Sequence, residues 1–519
     1  MSAKFFVTTP IYYVNDQPHI GHAYTTLAAD VTARFHRLAG RDVFFLTGTD
    51  EHGQKVAQSA AQNGETPQQL TDRVSQNFRD LTKLMNFSND DFIRTTEPRN
   101  VAAAQALWQA MAKATAPDGQ PAIYLGSYSG WYSVRDEAFY DEGELKDGPE
   151  GTKIAPSGAP VAWVEEPSYF FRLSAYGDAL LELYEAEPDL VAPNSRRNEI
   201  KSFVKGGLRD LSISRTSLSW GVPVPGDEKH VMYVWLDALV NYIAALGYPA
   251  MGEGTLYDRF WPADLHLVGK DIVRFHTVYW PAFLMAANLP QPKRVFAHGW
   301  WTSEGQKMSK SLGNVVAPSD LVATYGLDQA RYLLMAEVPF GNDGDFSHSS
   351  AVRRVNADLA NGIGNLAQRT LTLIQKNCGG AVPRPGDFIK EDNALLDEIP
   401  RTLDKISDDI AKQLFHEALF QVWGVIRLAD GYIDAMAPWA LKKTDPARMA
   451  TVLYVLAETL RAIGILLQPF MPETMARLLD QLSIPLDQRD FKALAGKRIA
   501  PEATLPPPQG LFPRIVEAE

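Results

Sequence analysis

The sequence predicts an α/β protein in which a parallel-sheet domain is interrupted by an inserted domain and followed by an all-α helical bundle. Three features of the chain support this fold class. Apolar runs of strand length alternate with an amphipathic helical pattern near the N-terminus. A stretch from about 116 to 228 instead holds short strand patterns with many Gly, Pro and acidic residues. Beyond about 350, apolar residues recur at the three- and four-residue steps typical of helices.

The first elements predict the start of a parallel sheet. The stretch "KFFVTTPIYYV" (4–14) is rich in β-branched and aromatic residues and predicts a buried strand. A helix is predicted over 19–37, followed by a second buried strand in "RDVFFLTGTDEHG" (41–53), which ends in polar residues. Ligands of open parallel sheets bind at the carboxyl ends of the strands. We therefore expect "NDQPHIGH" and "GTDEHG" to border a binding site.

The later segments complete this plan. Strand and helix patterns resume in "HVMYVWLDALVNYI" and "DLHLVGKDIVRFHTVYWPAFLMAA". Helices are expected over 351–376 and around 408–437 and 446–470, which together predict a bundle. The predicted domains are two halves of the sheet domain at 1–115 and 229–297, the insert at 116–228, a loop-bearing segment at 298–350, and the bundle at 351–519.

Composition is that of a soluble globular protein of about two to four domains. The 519 residues include 62 acidic and 50 basic side chains, and the net charge of −12 argues mildly against a large nucleic-acid surface. No uninterrupted apolar run is long enough to span a bilayer, and a strand begins almost at once, so we expect a cytoplasmic protein without a signal peptide. Cys378 is the only cysteine, which excludes an intramolecular disulfide and a thiolate zinc site.

The motif "PHIGH" (18–22) places His19 and His22 on either side of Gly21 where the first helix begins. The helix N-terminus offers unpaired N–H groups that suit phosphate, and a glycine lets a flat ligand such as adenine approach the backbone. The alternative is that both histidines serve only in capping or packing. A zinc pair is disfavoured because no third ligand is nearby.

The second motif, "GQKMSKSLGN" (305–314), places Lys307 and Lys310 among small residues that cannot build a core. One interpretation is an exposed, solvated loop. The other is a clamp for phosphate, since two flexible ammonium groups with hydroxyl and backbone N–H groups between them suit an anion that gains charge during a reaction.

These two motifs together resemble the signatures of class I aminoacyl-tRNA synthetases. With "FLTGTDEHGQK", "YVWLDALVNYI", "GKDIVRFHTVYWPAFL", "HGWW" and "EVPFGNDGDFS", essentially the whole chain resembles the methionyl-tRNA synthetase family. The resemblance implies a Rossmann-type sheet domain, an inserted connective-peptide domain, a KMSKS loop and stem-contact region at 298–350, and an anticodon-binding bundle. It also implies ATP-dependent ligation of L-methionine to methionine tRNA through a methionyl-adenylate, with Mg²⁺ accompanying ATP.

The resemblance also implies site residues. Asp50 would pair with the ammonium group of methionine, and Trp280 and Tyr242 would line its pocket, although both also fit ordinary core packing. The other residues implied for the methionine pocket are Ile11, Tyr13, Trp235, Ala238, Leu239, Ile272 and His276. Those implied for ATP are His19, Gly21, His22, Gly269, Asp271, Gly299, Trp300, Lys307, Met308 and Lys310, of which His19, His22, Lys307 and Lys310 would be catalytic.

Many family members carry CxxC zinc knuckles in the insert, whereas this chain has "GSYSGWYSVRDEAFYDEGEL" there. The insert therefore resembles the zinc-free form of the family, and we expect no structural zinc. In the bundle, Asn365, Arg369 and Trp439 correspond to residues that recognise the CAU anticodon shared by initiator and elongator methionine tRNA. Because no further module follows the bundle, a monomer is expected.

Three alternatives compete with this interpretation. Isoleucyl, valyl and leucyl enzymes share both signatures but need a large editing insert, because one methylene yields only about 1–3 kcal/mol of discrimination. A non-catalytic tRNA-binding or chaperone-like relative would have decayed signatures, and both are intact here. A nucleotidyltransferase acting on a small metabolite would leave the bundle without a purpose.

Overall fold

The computed structural model describes residues 3–14, 17–136, 138–308 and 314–516. Its centre is a six-stranded sheet in the order β3-β2-β1-β14-β15-β9, with every pair of neighbours parallel. Its strands are β1 (Lys4–Tyr13), β2 (Asp42–Asp50), β3 (Asp91–Arg94), β9 (Val191–Ala192), β14 (Leu265–Gly269) and β15 (Val295–His298). The predicted α/β fold class is confirmed.

Helices cover both faces of this sheet because the central strands are apolar on both sides. Phe5 and Val7 of β1 pack on one face with α1, while Phe6 packs on the other with α4, α8 and α10. The helices of this half are α1 (Ile20–Leu38), α2 (Gln54–Gln62), α3 (Pro67–Leu84), α4 (Pro98–Ala112), α7 (Val234–Leu239), α8 (Asn241–Ala244), α9 (Leu256–Phe260) and α10 (Trp280–Ala286). A π-helix, Phe275–Tyr279, precedes α10.

The segment predicted as an insert contains more than short strands. A long antiparallel hairpin of β4 (Ile123–Ser133) and β8 (Pro160–Phe171) is followed by the helices α5 (Gly177–Ala186) and α6 (Asn194–Lys205). The expectation of a segment without a long helix misses these two helices, which bury Leu180 and Ile200 against the sheet domain. The remaining strands of this segment are β5 (Ala138–Tyr140), β6 (Lys146–Asp147), β7 (Lys153–Ile154), β10 (Leu211–Ser212), β11 (Ser214–Arg215), β12 (Pro223–Val224) and β13 (Asp227–Met232).

A small three-stranded sheet and two helices connect the sheet domain to the bundle. The strands β16 (Trp301–Ser303), β17 (Gln306–Lys307) and β18 (Gly344–Phe346) form the sheet, and α11 (Pro318–Tyr325) and α12 (Leu327–Ala336) lie between β17 and β18 in the chain. The bundle contains α13 (His348–Arg354), α14 (Asn365–Asn377), α15 (Lys390–Ala411), α16 (Phe415–Met436), α17 (Pro438–Thr444), α18 (Pro446–Leu467), α19 (Pro472–Gln481) and α20 (Phe491–Gly496).

Two predicted bundle helices differ from the observed ones. The helix expected over 408–437 is divided, because Gln413 adopts a positive φ of 58° and its side chain donates to the carbonyls of Ile410 and Ala411. The continuous helix expected over 351–376 contains a π-helical segment, Val355–Gly364, in which the backbone of Gly362 leaves the helical region.

A buried ion pair joins the first helix to α12, and the same arginine contacts the bundle. Arg331 of α12 and Asp30 of α1 are both fully buried, and their side chains meet at 2.7 Å. Burial alone would raise the pKa of Asp30, but Arg331 and Arg34 outweigh it and hold that pKa below its ordinary value. Arg331 also donates to the carbonyls of Phe470 at 2.9 Å and Pro469 at 3.0 Å, beyond the end of α18. The helix that opens at the "HIGH" motif is therefore fixed to the bundle.

One helix among the described residues, Pro446–Leu467, is long and apolar enough to cross a membrane. Within the fold, 94% of its most apolar window is buried, and its Glu458 and Arg461 pair at 2.7 Å inside the bundle. It is a core helix of the bundle.

Candidate active site

A cleft of about 650 Å³ opens at the carboxyl ends of β1, β2 and β14, as expected for a parallel sheet. Most of the residues implied for methionine and ATP line this cleft. They are Ile11, Tyr13, His19, Gly21, His22, Asp50, Trp235, Ala238, Leu239, Tyr242, Gly269, Asp271, Ile272, His276, Gly299, Trp300, Lys307 and Met308.

Two implied residues are not placed in the cleft. Trp280 is fully buried behind it, with its ring centroid 6.1 Å from that of Tyr242, and it does not line the cavity. This position fits ordinary core packing, the other interpretation of Trp280. Lys310 lies outside the described residues.

The two histidines are organised by the first turn of α1. The backbone N–H of Gly21 donates to His19 Nδ1 at 3.1 Å, and the N–H of His19 donates to His22 Nδ1 at 3.1 Å. Burial, reinforced by the neighbouring His19, lowers the pKa of His22 well below its ordinary value. Because the Nδ1 atoms accept hydrogen bonds, a neutral imidazole here carries its proton on Nε2. Capping through Nδ1 is therefore compatible with a hydrogen bond donated from Nε2–H.

Gly21 and Gly299 occupy positions where a side chain would clash with neighbouring atoms. A Cβ atom on Gly21 would lie 2.9 Å from His19 Cε1, which would displace the capping imidazole. A Cβ atom on Gly299 would lie 2.2 Å from the carbonyl oxygen of Asn342, a clash with backbone that cannot relax by rotation of a side chain. Both glycines line the cleft, and their neighbours leave no room for a side chain at either position.

The apolar end of the cleft is fixed by a short chain of hydrogen bonds. Tyr242 OH lies 2.7 Å from His276 Nε2, and His276 Nδ1 lies 3.0 Å from the carbonyl oxygen of Ile272. Burial lowers the pKa of His276 to about 4, so its imidazole is neutral at pH 7. Nδ1–H therefore donates to Ile272, and the Tyr242 hydroxyl donates to Nε2. Trp235 also lines the cleft and stacks on Phe275, the residue before His276, with ring centroids 3.4 Å apart.

The polar end of this pocket is formed by the carboxyl ends of two strands. Tyr13 of β1 pairs in register with Asp50 of β2. Asp50 is 7% exposed, so its carboxyl group lies in a confined part of the cleft beside the apolar wall. A buried carboxylate beside an apolar pocket suits a ligand with a cationic group and an apolar side chain.

Trp300 organises the opposite side of the cleft. Its indole Nε1 donates to Asp271 Oδ1 at 3.1 Å, and its backbone N–H donates to Asp343 Oδ1 at 2.8 Å. Lys270 bonds Asp343 at 2.7 Å and lies 4.3 Å above the Trp300 ring. Lys307 of the "KMSK" segment lies 5.9 Å from the same ring. This side of the cleft therefore joins a flat aromatic surface to two ammonium groups.

Thr25 and His298 line the cleft but were not predicted from sequence. His298 Nδ1 lies 2.8 Å from the Gly299 carbonyl, and its Nε2 lies 2.6 Å from Thr25 Oγ1. Burial lowers the pKa of His298, so the neutral ring donates from Nδ1 to the Gly299 carbonyl. Its Nε2 and the Gly21 carbonyl, 3.0 Å from Thr25 Oγ1, are the two acceptors near the Thr25 hydroxyl. Both had a signal in the sequence, because Thr25 lies one helical turn after Gly21 and His298 ends a strand.

Arg135 and Asp136 also line the cleft, and the sequence held no signal for them. They lie in the turn that follows β4, far along the chain from the sheet. Arg135 donates to the Ser157 carbonyl at 2.6 Å, and Tyr140 OH donates to Asp136 at 3.0 Å. Packing and hydrogen bonds hold this hairpin, with Trp131 and Trp163 in edge-to-face contact at 5.5 Å.

The described part of the chain contains no group of three or more His, Cys, Asp or Glu side chains arranged to hold a metal ion. Glu51 and His52, which follow Asp50, instead have protein partners. Glu51 accepts from Arg94 Nε at 2.7 Å, and His52 Nδ1 lies 2.5 Å from Asp237.

The three residues implied for the anticodon lie at the surface of the bundle. Asn365 is exposed on α14, one turn before Arg369. Arg369 bonds Asp434 at 2.7 Å, and its guanidinium lies 5.7 Å from the ring centroid of Trp439, which is 48% exposed. Asn361, one turn earlier, lies in the π-helix and accepts a hydrogen bond from Arg514.

Comparison with known proteins identifies the family of the chain. Residues 5–371 match the family model described as tRNA synthetases class I (M), and residues 382–519 match that of the anticodon binding domain of methionyl tRNA ligase. Methionine–tRNA ligase of Brucella suis is 56% identical over 518 residues, covering 99% of both chains. That of Mesorhizobium japonicum is 57% identical over 515 residues, covering 99% of this chain and 98% of its own.

Solved structures support the same family assignment. The methionyl-tRNA synthetase of Mycobacterium tuberculosis in complex with methionyl-adenylate superposes with a TM-score of 0.95 at 50% identity, covering 99% of this chain and all of that one. Its free form superposes with a TM-score of 0.89 at 46% identity, covering 100% of this chain and 99% of that one. With a cleft at the strand ends and an anticodon-binding bundle, the chain belongs to the methionyl-tRNA synthetase family of class I aminoacyl-tRNA synthetases.

Proposed function

We propose that the cleft holds L-methionine and ATP side by side for the two steps of a methionine–tRNA ligase. In the first step a methionine carboxylate oxygen bonds to the α-phosphorus of ATP and pyrophosphate leaves. In the second, a ribose hydroxyl at the 3′ end of the tRNA attacks the methionyl carbonyl and AMP leaves. The observation that carries this assignment is the junction, within one cleft, of an apolar pocket containing Asp50 and a helix N-terminus bearing two histidines.

In the proposed methionine site, the thioether packs among Ile11, Leu239 and Ile272 and against the ring of Trp235, because sulfur is soft and interacts favourably with aromatic edges. Asp50 binds the substrate ammonium group. Tyr242 and His276 close the end of the pocket, and their mutual hydrogen bond leaves an apolar ring surface facing the side chain. Tyr13 and Ala238 complete the lining, while Trp280 supports the wall from behind.

In the proposed ATP site, the Nε2–H groups of His19 and His22 and the ammonium groups of Lys307 and Lys310 stabilise charge on the phosphates. Gly21, Gly269 and Gly299 give the adenosine close access to backbone, and Asp271, Trp300 and Met308 border it. Mg²⁺ accompanies ATP as part of the substrate complex. The methionine carboxylate is already ionised at neutral pH, so the reaction requires positioning and charge stabilisation rather than a general base.

The tRNA proposal concerns the bundle. Asn365 and Arg369 read exposed base edges, and Trp439 stacks on a base of the CAU anticodon, which initiator and elongator methionine tRNA share. Arg369 is pre-oriented by Asp434, so little freedom is lost when it binds. The cytoplasm, where translation takes place, is the proposed location.

A test across the amino acids addresses the substrate assignment directly. Pyrophosphate exchange should depend on L-methionine, with isoleucine, valine, leucine and cysteine far less effective at equal concentration. Absence of methionine-dependent exchange, with normal folding by circular dichroism, would contradict the assignment.

We expect the purified protein to be free of structural zinc. The insert offers no cysteine, and its turn is tied by Arg135, Ser157 and Tyr140. Metal analysis of protein purified without added metal should find well under one zinc per chain, and a chelator should leave the melting temperature unchanged. Stoichiometric zinc that resists dialysis would contradict this expectation.

We also expect a monomer in solution. The most apolar helix of the bundle, Pro446–Leu467, is buried within the chain itself. Light scattering over a tenfold dilution series should give the mass of one 57.5 kDa chain. A mass of twice this value at every concentration would overturn the expectation.

A further inference from the structure

His52 and Asp237 form a buried pair outside the cleft lining. His52 is 5% exposed, Asp237 is fully buried, and His52 Nδ1 lies 2.5 Å from Asp237 Oδ2. The other carboxylate oxygen, Oδ1, accepts from Asn100 Nδ2 at 2.9 Å. The carboxylate is thus held on both oxygens, and a buried polar pair satisfied in this way has a fixed geometry.

This pair joins the two sides of the proposed methionine pocket. His52 lies two residues after Asp50 at the end of β2, whereas Asp237 lies on the short helix α7, between Trp235 and Ala238. Since α7 packs mainly on α4 and α8, the His52–Asp237 bond is a direct polar link between the carboxylate side and the apolar side.

The surroundings restrain His52 from the other directions. Trp220 donates from its indole to the Glu51 carbonyl at 2.7 Å and contacts the His52 ring edge-to-face at 5.2 Å. The Glu51 side chain is fixed by Arg94 through bonds of 2.7 and 2.8 Å. The segment from Asp50 to His52 therefore has little freedom, and the bond from His52 to Asp237 connects it to the helix that carries Trp235 and Ala238.

We propose that the His52–Asp237 pair is a positioning device that sets the distance between Asp50 and the apolar wall formed by Trp235 and Ala238, and thereby determines the affinity for methionine. This inference rests on the proposed roles of Asp50 and Trp235. Neither His52 nor Asp237 lines the cleft, so the pair acts through the residues beside it. Small misplacements of binding groups carry large penalties in affinity and rate.

Two substitutions of the same histidine distinguish positioning from simple packing. The amide nitrogen of asparagine occupies the place of Nδ1, so His52→Asn keeps the bond to Asp237. The amide nitrogen of glutamine occupies the place of Nε2, so His52→Gln breaks that bond while keeping size and polarity. We expect His52→Gln to raise the methionine KM on the order of tenfold to a hundredfold in pyrophosphate exchange, and His52→Asn to raise it less than about threefold. The ATP KM should stay within about twofold in both.

His36→Ala is the matched control. His36 is a buried histidine of α1 that packs on Phe5 and does not line the cleft. The His36→Ala substitution should lower the melting temperature without changing the methionine KM. If His52→Gln does not fold, Asp237→Ala breaks the same bond from the other side and carries the same expectation.

The outcomes separate this inference from the assignment on which it rests. An unchanged methionine KM in His52→Gln, or equal changes in His52→Gln and His52→Asn, would overturn the positioning role. Asp50→Asn should itself raise the methionine KM, and adding His52→Gln to it should raise the KM little further, because both act on the same contact. If Asp50→Asn leaves the KM unchanged, the proposed ammonium site is wrong. Additive effects of the two changes would mean that His52 acts independently of Asp50 and would also overturn the inference.

Discussion

Replacing Lys310 with alanine is expected to slow methionine-dependent pyrophosphate exchange by on the order of a hundredfold, about 3 kcal/mol of activation free energy. The α-phosphate gains negative charge only as the methionine carboxylate attacks, so an ammonium group there stabilises the transition state more than the ground state. The methionine KM should change less than about twofold, because the methionine pocket is unaltered. Steady-state exchange kinetics provide the measurement.

Contacts of the described residues on either side of Lys310 support a test at this position. Asn314 Nδ2 donates to the Lys307 carbonyl at 3.2 Å, and the Ile20 N–H donates to the Val316 carbonyl at 3.0 Å. The second bond holds the segment after the "KMSKS" motif against the first turn of α1, beside His19. Both ends of the segment are thereby kept near the proposed phosphate site.

Lys376→Ala is the control for the lysine experiment, because Lys376 is exposed on α14 of the bundle and lines no part of the cleft. It should retain the exchange rate of the unmodified protein. An exchange rate near normal in Lys310→Ala would contradict charge stabilisation by this lysine. A raised KM for ATP with unchanged kcat would instead mean that Lys310 binds the phosphates equally in the ground and transition states.

The fold was predictable from sequence wherever local pattern and tertiary packing agree. The strand at Lys4–Tyr13 is a short run of β-branched and aromatic residues, and the helix Ile20–Leu38 has apolar residues at helical spacing, so each is evident from a short window. The break at Gln413 was not evident, because apolar residues continue on both sides and the positive φ occurs at a residue other than glycine. The π-helical turn at Val355–Gly364 is likewise invisible to a periodicity of three and four residues.

The cleft was predictable to the extent that strand ends meet at one edge of a sheet. Asp50 and the histidines of "HIGH" were placed there by sequence because Asp50 ends a strand and the histidines stand where a helix begins, whereas Gly269 was implied by the family resemblance alone. Arg135 reaches the cleft only because a hairpin formed by β4 and β8 folds back over it, a long-range arrangement with no local signature. Trp280 was implied to line the pocket but lies beside it. Sequence does not separate these two positions, because an aromatic residue beside a pocket and one that lines it have the same pattern.

The second large effect is expected in the helical bundle. Trp439→Ala should slow tRNA charging by tens-fold or more, because stacking of one base on an aromatic ring is worth about 1–3 kcal/mol. The ring is 48% exposed and lies beneath the Arg369 guanidinium, so it offers a flat surface whose neighbour is already oriented. Methionine-dependent pyrophosphate exchange should stay near normal, because the proposed sites for the amino acid and ATP lie in the cleft of the sheet domain.

Exposure makes this experiment decisive. Trp423 is buried and stacks on Tyr332 with ring centroids 4.8 Å apart. Replacing such a buried tryptophan with alanine would lower both activities, because the bundle core would lose packing. Phe420 is the matched exposed control: it is 59% exposed on α16, and Phe420→Ala should leave both activities unchanged. Comparing charging with exchange for Trp439→Ala and Phe420→Ala therefore isolates base stacking from loss of an exposed aromatic side chain. Equal loss of charging and exchange in Trp439→Ala would mean that Trp439 stabilises the bundle, and its assignment to the anticodon would be wrong.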